Sequence, residues 1–112
     1  MIQLPLGHHR PIFSVYPNPF CNNQGLVDIL SISDKATFLY YNPNYLPSYI
    51  DIYDFSMNHV VTLSDSYREE PNESYIVWNG KNKLGNDVVN GTYFCRLSIE
   101  NNIYWTKLLV IN

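Results

Sequence analysis

Histidine is scarce in this chain, which limits the metal chemistry that its sequence can support. The three histidines are His8, His9 and His59. A zinc site needs three or four ligands that converge in space. His8 and His9 lie in an N-terminal arm, whereas His59 falls within a predicted strand much further along the chain. The sequence therefore predicts neither a metal site nor a metal cofactor.

Serine and carboxylate residues are present, but their sequence context does not favour catalysis. No serine has the glycine-flanked setting of a nucleophile elbow, and paired carboxylates such as Asp51 and Asp54 lie along a strand. The segment 22–25 with Asp28 is rich in oxygen ligands and faintly resembles a calcium loop. It has few carboxylates for such a site, so a plain turn is favoured. We expect no catalytic site and no cofactor.

The composition indicates a folded domain rich in β-structure. Of the 112 residues 46% are hydrophobic and only 15% are charged, and ten are tyrosine, a residue that suits a half-buried pleated surface. The net charge is -3, and no basic residue occurs between Lys35 and Arg68. Because nucleic-acid binding needs clustered cations, this class of partner is excluded. No apolar run approaches the roughly 20 residues of a membrane-spanning helix, and the first ten residues lack the apolar stretch of a signal peptide.

Short apolar segments separated by turn residues are the pattern of a β-sandwich. Residues 1–11 are expected to form an arm or linker, and residues 12–112 one domain of seven to eight strands. The predicted strands are 12–16, 26–32, 36–41, 49–54, 59–63, 74–78, 91–100 and 103–111. The acidic stretch from Asp65 to Glu73 contains Pro71 and is predicted to be a solvated loop.

The last two segments predict a hairpin with an unusual final strand. Residues 93, 95, 97 and 99 alternate with more polar ones, and Asn101-Asn102 is a two-residue turn of a common kind. The final strand is apolar on both faces. This pattern favours a central strand, or a strand that a neighbouring domain covers, so Trp105, Lys107 and Leu108 are predicted to include a partner-facing position.

Three segments in this order carry a resemblance to a known family. They are VYPNPF at 15–20, IDIYDFSMNHVVTL at 50–63 and WNGKNKLGNDVVNGTYFCRL at 78–97. The chain resembles the C-terminal immunoglobulin-like modules of large secreted bacterial proteins. The same fold occurs in the flagellar hook-cap assembly protein and in the sorting domains of type IX secretion. The final TKLLVIN resembles the terminal strand of such modules, so Asn112 is expected to be a natural C-terminus.

The resemblance implies structural rather than chemical roles for its motif residues. These are Pro17, Asn18, Pro19, Phe20, Tyr53, Asp54, Trp78, Asn79, Gly80, Gly85, Gly91 and Tyr93. Such modules have glycine after the IYD strand, where this chain has Met57 and Asn58; asparagine tolerates the left-handed conformation better. In a sandwich of this kind Cys21 can approach Cys95, which leaves two alternatives: a disulfide, or a free, buried Cys95, which we favour.

The resemblance implies a non-catalytic, secreted or cell-surface module that acts in sorting and surface attachment through protein partners. One alternative is a structural module that packs on neighbouring domains or on copies of itself as a filament subunit. Another is a carbohydrate-binding module that uses the tyrosines at 40, 41, 45 and 49. Ordinary packing within the sheets is the favoured reading of those tyrosines.

Overall fold

The computed structural model describes residues 12–21 and 34–112, which form two antiparallel four-stranded sheets. The strands are β1 (Phe13–Tyr16), β2 (Ala36–Tyr41), β3 (Ser48–Tyr53), β4 (His59–Leu63), β5 (Ser66–Glu69), β6 (Glu73–Trp78), β7 (Gly91–Ile99) and β8 (Asn102–Val110). The expected all-β, immunoglobulin-like sandwich is confirmed. The arm at 1–11, the whole calcium-like segment and the strand predicted at 26–32 lie outside the described residues.

The two sheets pack face to face around one apolar core. The first sheet has the order β1-β2-β6-β5, and the second has the order β4-β3-β7-β8. Alternate residues of β2, β3, β6, β7 and β8 point inward, as the period-2 pattern requires. Trp78 lies in this core with no exposed surface, and the rings of Phe20 and Tyr93 each lie 6.0 Å from it.

The motif at 17–20 carries the chain from the first sheet to the second. After β1 pairs with β2, Phe20 forms a parallel bridge with Val110 of β8. The backbone NH of Phe20 donates to the Leu109 carbonyl, and the side chain of Asn18 bonds both the Lys107 carbonyl and the Leu109 NH. Asn18 and Phe20 therefore cover part of the outer edge of β8. Pro17 and Pro19 have no backbone NH and so could not donate hydrogen bonds there.

The loop between β6 and β7 is a set of turns supported by asparagine side chains. The Asn79 side chain accepts from the Lys81 NH, and the Asn82 side chain accepts from the NH groups of Leu84 and Asn86. Gly80 and Gly85 have φ values of 78° and 87°, a conformation that residues with a Cβ resist. These hydrogen bonds and left-handed glycines close the turns of the polar motif after Trp78.

Three local predictions are wrong. The stretch predicted as a loop contains β5, whose four residues are all exposed and which pairs at the sheet edge with β6. An edge strand with no buried residue has no hydrophobic signature in the sequence. The C-terminal hairpin turns at Glu100-Asn101, because Ile99 pairs with Asn102. In the β3–β4 turn the left-handed residue is Met57, with φ 65°, rather than Asn58.

Candidate functional site

The final strand presents one buried and one exposed face. Leu108 and Val110 have no exposed surface, whereas Trp105 is 50% exposed and Lys107 is exposed as well. Leu108 is therefore a core residue and is not available to a partner, which corrects its inclusion among the partner-facing candidates. The strand is not central, because β8 lies at the edge of the second sheet among the described residues. Its outward apolar side chains remain uncovered there.

An aromatic cluster occupies the outer face of the second sheet around Arg96. Register places Arg96 beside Trp105 on β8 and beside Asp51 on β3. The Arg96 guanidinium carbon lies 5.3 Å from the centre of the Tyr53 ring and 5.9 Å from that of Trp105. The two rings are 6.0 Å apart and tilted at 39°. We call Tyr53, Phe94, Arg96 and Trp105 the aromatic face.

A shallow apolar depression adjoins the aromatic face towards the β3–β4 turn. Met57, Phe94, Trp105, Thr106 and Lys107 line it. Phe55 stacks on Phe94 with ring centres 5.9 Å apart. A β-bulge between Ile52 and Tyr53 changes the register just before this turn. The outer face thus combines aromatic rings with two cations, a composition typical of protein contact surfaces.

A hydrogen-bonded network anchors Arg96 and so fixes the aromatic face. The Arg96 Nη2 donates to Asp51 Oδ2 at 3.0 Å, and the Thr62 hydroxyl donates to Asp51 Oδ1. His59 Nε2 lies 2.9 Å from the same Oδ1. Burial raises the pKa of Asp51, but the hydrogen bonds from Thr62, Arg96 and His59 outweigh that effect and hold its pKa below the ordinary value.

The same network lacks the geometry of nucleophilic catalysis. The histidine of a triad contacts the nucleophile and the acid through opposite ring nitrogens. Here His59 approaches both Thr62, at 3.0 Å, and Asp51 through Nε2, while the Thr62 hydroxyl is committed to Asp51. Asp54 is not paired with Asp51; it accepts from the backbone NH groups of Ser56 and Asn58 and closes the β3–β4 turn.

The four tyrosines considered for carbohydrate binding are dispersed over the domain. Tyr40 is buried against Ser48, Tyr45 bonds Glu70, and the exposed Tyr41 and Tyr49 belong to different sheets. The four tyrosines therefore do not form one sugar-binding platform.

Both cysteines carry free thiols, so the considered disulfide is not formed. Burial raises the pKa of Cys95 to about 12. Within the described ranges no group of three metal-ligating side chains occurs, and no helix could span a membrane.

Comparison with known proteins supports the architecture. No family model and no curated protein matches the chain. Among solved structures, the chain is similar to part of PorZ, an essential surface component of the type IX secretion system of the oral bacterium Porphyromonas gingivalis. The TM-score is 0.57 at 19% identity, over 89% of this chain and 11% of that chain. The chain thus matches a small part of a much longer protein, and at this identity the likeness shows the fold.

Proposed function

We propose that this chain is a non-catalytic module of a secreted or cell-surface bacterial protein that acts in type IX secretion sorting and surface attachment. The observation that carries the proposal is the aromatic face, where Trp105 stands half-exposed on the final strand while that strand's other face is buried in the core. A partner protein thereby recognises the folded β-sandwich through its outer surface. Two supports are independent of this face: the sequence resemblance to sorting domains, and the fold shared with a part of PorZ.

Aromatic and arginine side chains favour protein recognition on such a surface. Tryptophan, tyrosine and arginine dominate the binding energy of protein interfaces. In this chain Asp51 anchors Arg96 at 3.0 Å, so the guanidinium is held beside both rings rather than left mobile. A preordered surface loses less conformational entropy on binding. We infer that the aromatic face contacts the secretion machinery.

An export assay tests this function. The full chain is fused to the C-terminus of a reporter in a bacterium with a type IX system, and reporter on the cell surface is compared with reporter retained in the cell. We expect export with the native chain and a loss of at least about tenfold with Trp105→Ser. The matched control is Tyr41→Ser, because Tyr41 is 52% exposed but lies on the first sheet. Retention of the native fusion rejects the sorting role.

A structural packing module is the second candidate. Large apolar side chains are exposed on the outer faces of both sheets, among them Tyr16 and Tyr67 on the first and Ile103 and Trp105 on the second. A neighbouring domain or another copy packed on each outer face would cover these side chains. Light scattering over a range of protein concentrations separates self-assembly from a monomer, and a monomer at high concentration excludes the filament alternative.

A further inference from the structure

The most exposed large apolar side chains of the described residues stand on two loops. Leu84 is 81% exposed, Val89 78% and Phe55 74%. Phe55 belongs to the β3–β4 turn, and the other two belong to the loop between β6 and β7. Apolar residues of the outer sheet faces are at most 54% exposed. Phe55 stacks with one face on Phe94 but is still largely exposed, and all three side chains are more exposed than any large apolar side chain on the strands. We call them the apolar tip.

The three residues lie at one end of the sandwich. The Lys83 NH donates to the Val60 carbonyl at 3.1 Å, which joins the β6–β7 loop to the start of β4. Leu84 and Val89 line one depression together with Asp54, the residue before Phe55. Gly91 pairs with Val110 at this end, so β7 begins and β8 ends beside the apolar tip.

Charge is distributed unevenly between the two ends. The described lysines all lie towards the apolar tip: Lys35, Lys81, Lys83 and Lys107. The opposite end carries Arg68 and the four glutamates, which are Glu69, Glu70, Glu73 and Glu100.

The carboxylates near the apolar tip are already engaged. Asp34 forms an ion pair with Lys35, and Asp87 forms one with Lys81. Asp54 accepts hydrogen bonds from backbone NH groups of its own turn. Within the part of the chain that the structure describes, Lys83 and Lys107 form no ion pair. Asp54 keeps its negative charge, so the four lysines at this end outnumber the three nearby aspartates by one.

We propose that the apolar tip, with Lys83 and Lys107, docks on an anionic lipid surface. Single side chains that project from loops can enter the boundary between headgroups and acyl chains, while flanking lysines meet negative headgroups. A protein partner would need a broad patch of about 800 Å² on each side. The glutamate-rich end would then face away from the lipid. This docking does not depend on the proposed export role.

Co-sedimentation with vesicles tests the proposal. The full chain is mixed with vesicles of equal parts phosphatidylglycerol and phosphatidylcholine, or of phosphatidylcholine alone. We expect binding to the anionic vesicles only, weakening as salt screens the lysines. Replacing Leu84 and Val89 together by serine should weaken partitioning at least about tenfold, and Phe55→Ser or Lys83→Glu should also weaken it.

The matched control is Ile103→Ser, because Ile103 is 51% exposed but lies at the opposite end. Binding of this variant should be unchanged. Melting curves of all variants establish that each remains folded. The proposal is overturned if the folded native chain fails to bind anionic vesicles, if the tip variants bind as well as the native chain, or if Ile103→Ser weakens binding equally.

Discussion

The indole Nε1 of Trp78 donates a hydrogen bond to the backbone carbonyl oxygen of Lys81, 2.9 Å away. The bond satisfies the one polar atom of a ring that is otherwise fully buried. It also fixes the first turn of the β6–β7 loop to the core. The largest side chain of the core therefore sets the position of a surface loop.

Replacing Trp78 should strongly destabilise the fold. Trp78→Ala leaves a cavity between Phe20 and Tyr93, and we expect a loss of about 3–5 kcal/mol in the free energy of unfolding. For a domain of this size the midpoint of thermal unfolding should fall by more than about 10 °C. Trp105→Ala is the control, with a shift of only a few degrees. A change of one or two degrees for Trp78→Ala would contradict the core assignment.

Polar replacements on the two faces of β8 should lower the stability of the fold by very different amounts. Leu108→Ser buries a hydroxyl at a position without exposed surface, and we expect a loss of roughly 3–5 kcal/mol in urea unfolding. Trp105→Ser should cost less than about 1.5 kcal/mol, because Trp105 is half-exposed. If both replacements unfold the protein equally, the final strand has no face free for a partner.

Stability should depend on pH through Asp51. Its pKa is depressed in the folded state, so its contribution is present above the unfolded value of about 3.9 and is lost as pH falls through the folded pKa. We expect Asp51→Asn to lower the free energy of unfolding by about 1–2 kcal/mol at pH 7. The difference from the native chain should shrink below about pH 4. A difference that stays constant down to pH 2 would show that the carboxylate charge is not stabilising.

The two thiols should differ in accessibility. Cys95 is fully buried, and burial raises its pKa to about 12, whereas Cys21 is partly exposed. Because the thiolate is the reactive form, a maleimide or disulfide reagent should label only Cys21 in the native chain and both residues in denaturant. Cys21→Ser should abolish native labelling. Intact mass that shows neither thiol available after unfolding would indicate a disulfide instead.

Patterns that depend on burial could be predicted from the sequence, because they repeat along a strand. The alternation in β7 places Tyr93, Cys95 and Leu97 in the core, and the structure confirms this. The sequence predicts the turn at Asn101-Asn102, but Ile99 pairs with Asn102, so the turn begins at Glu100. Register is decided by pairing across both strands, and a two-residue motif does not contain that information.

The candidate site was only partly predictable for a related reason. The doubly apolar final strand indicated an outward-facing side chain, but choosing Trp105 over Leu108 requires knowing which face of β8 meets the core. The ring contacts of Arg96 join residues on three strands. Such contacts depend on sheet order, which alternation within a single strand does not specify. β5 was missed because all its side chains are exposed.

The bridge between Phe20 and Val110 has a mechanical consequence. The two segments run parallel, and the Phe20 NH and carbonyl bond Leu109 and Ile111 of the last strand. A tensile load applied at Ile12 and Asn112 would pull these segments in opposite directions along their length. The bonds on Phe20 would then be sheared together rather than peeled apart one after another. We therefore expect a domain connected in this way to resist extension along its own chain.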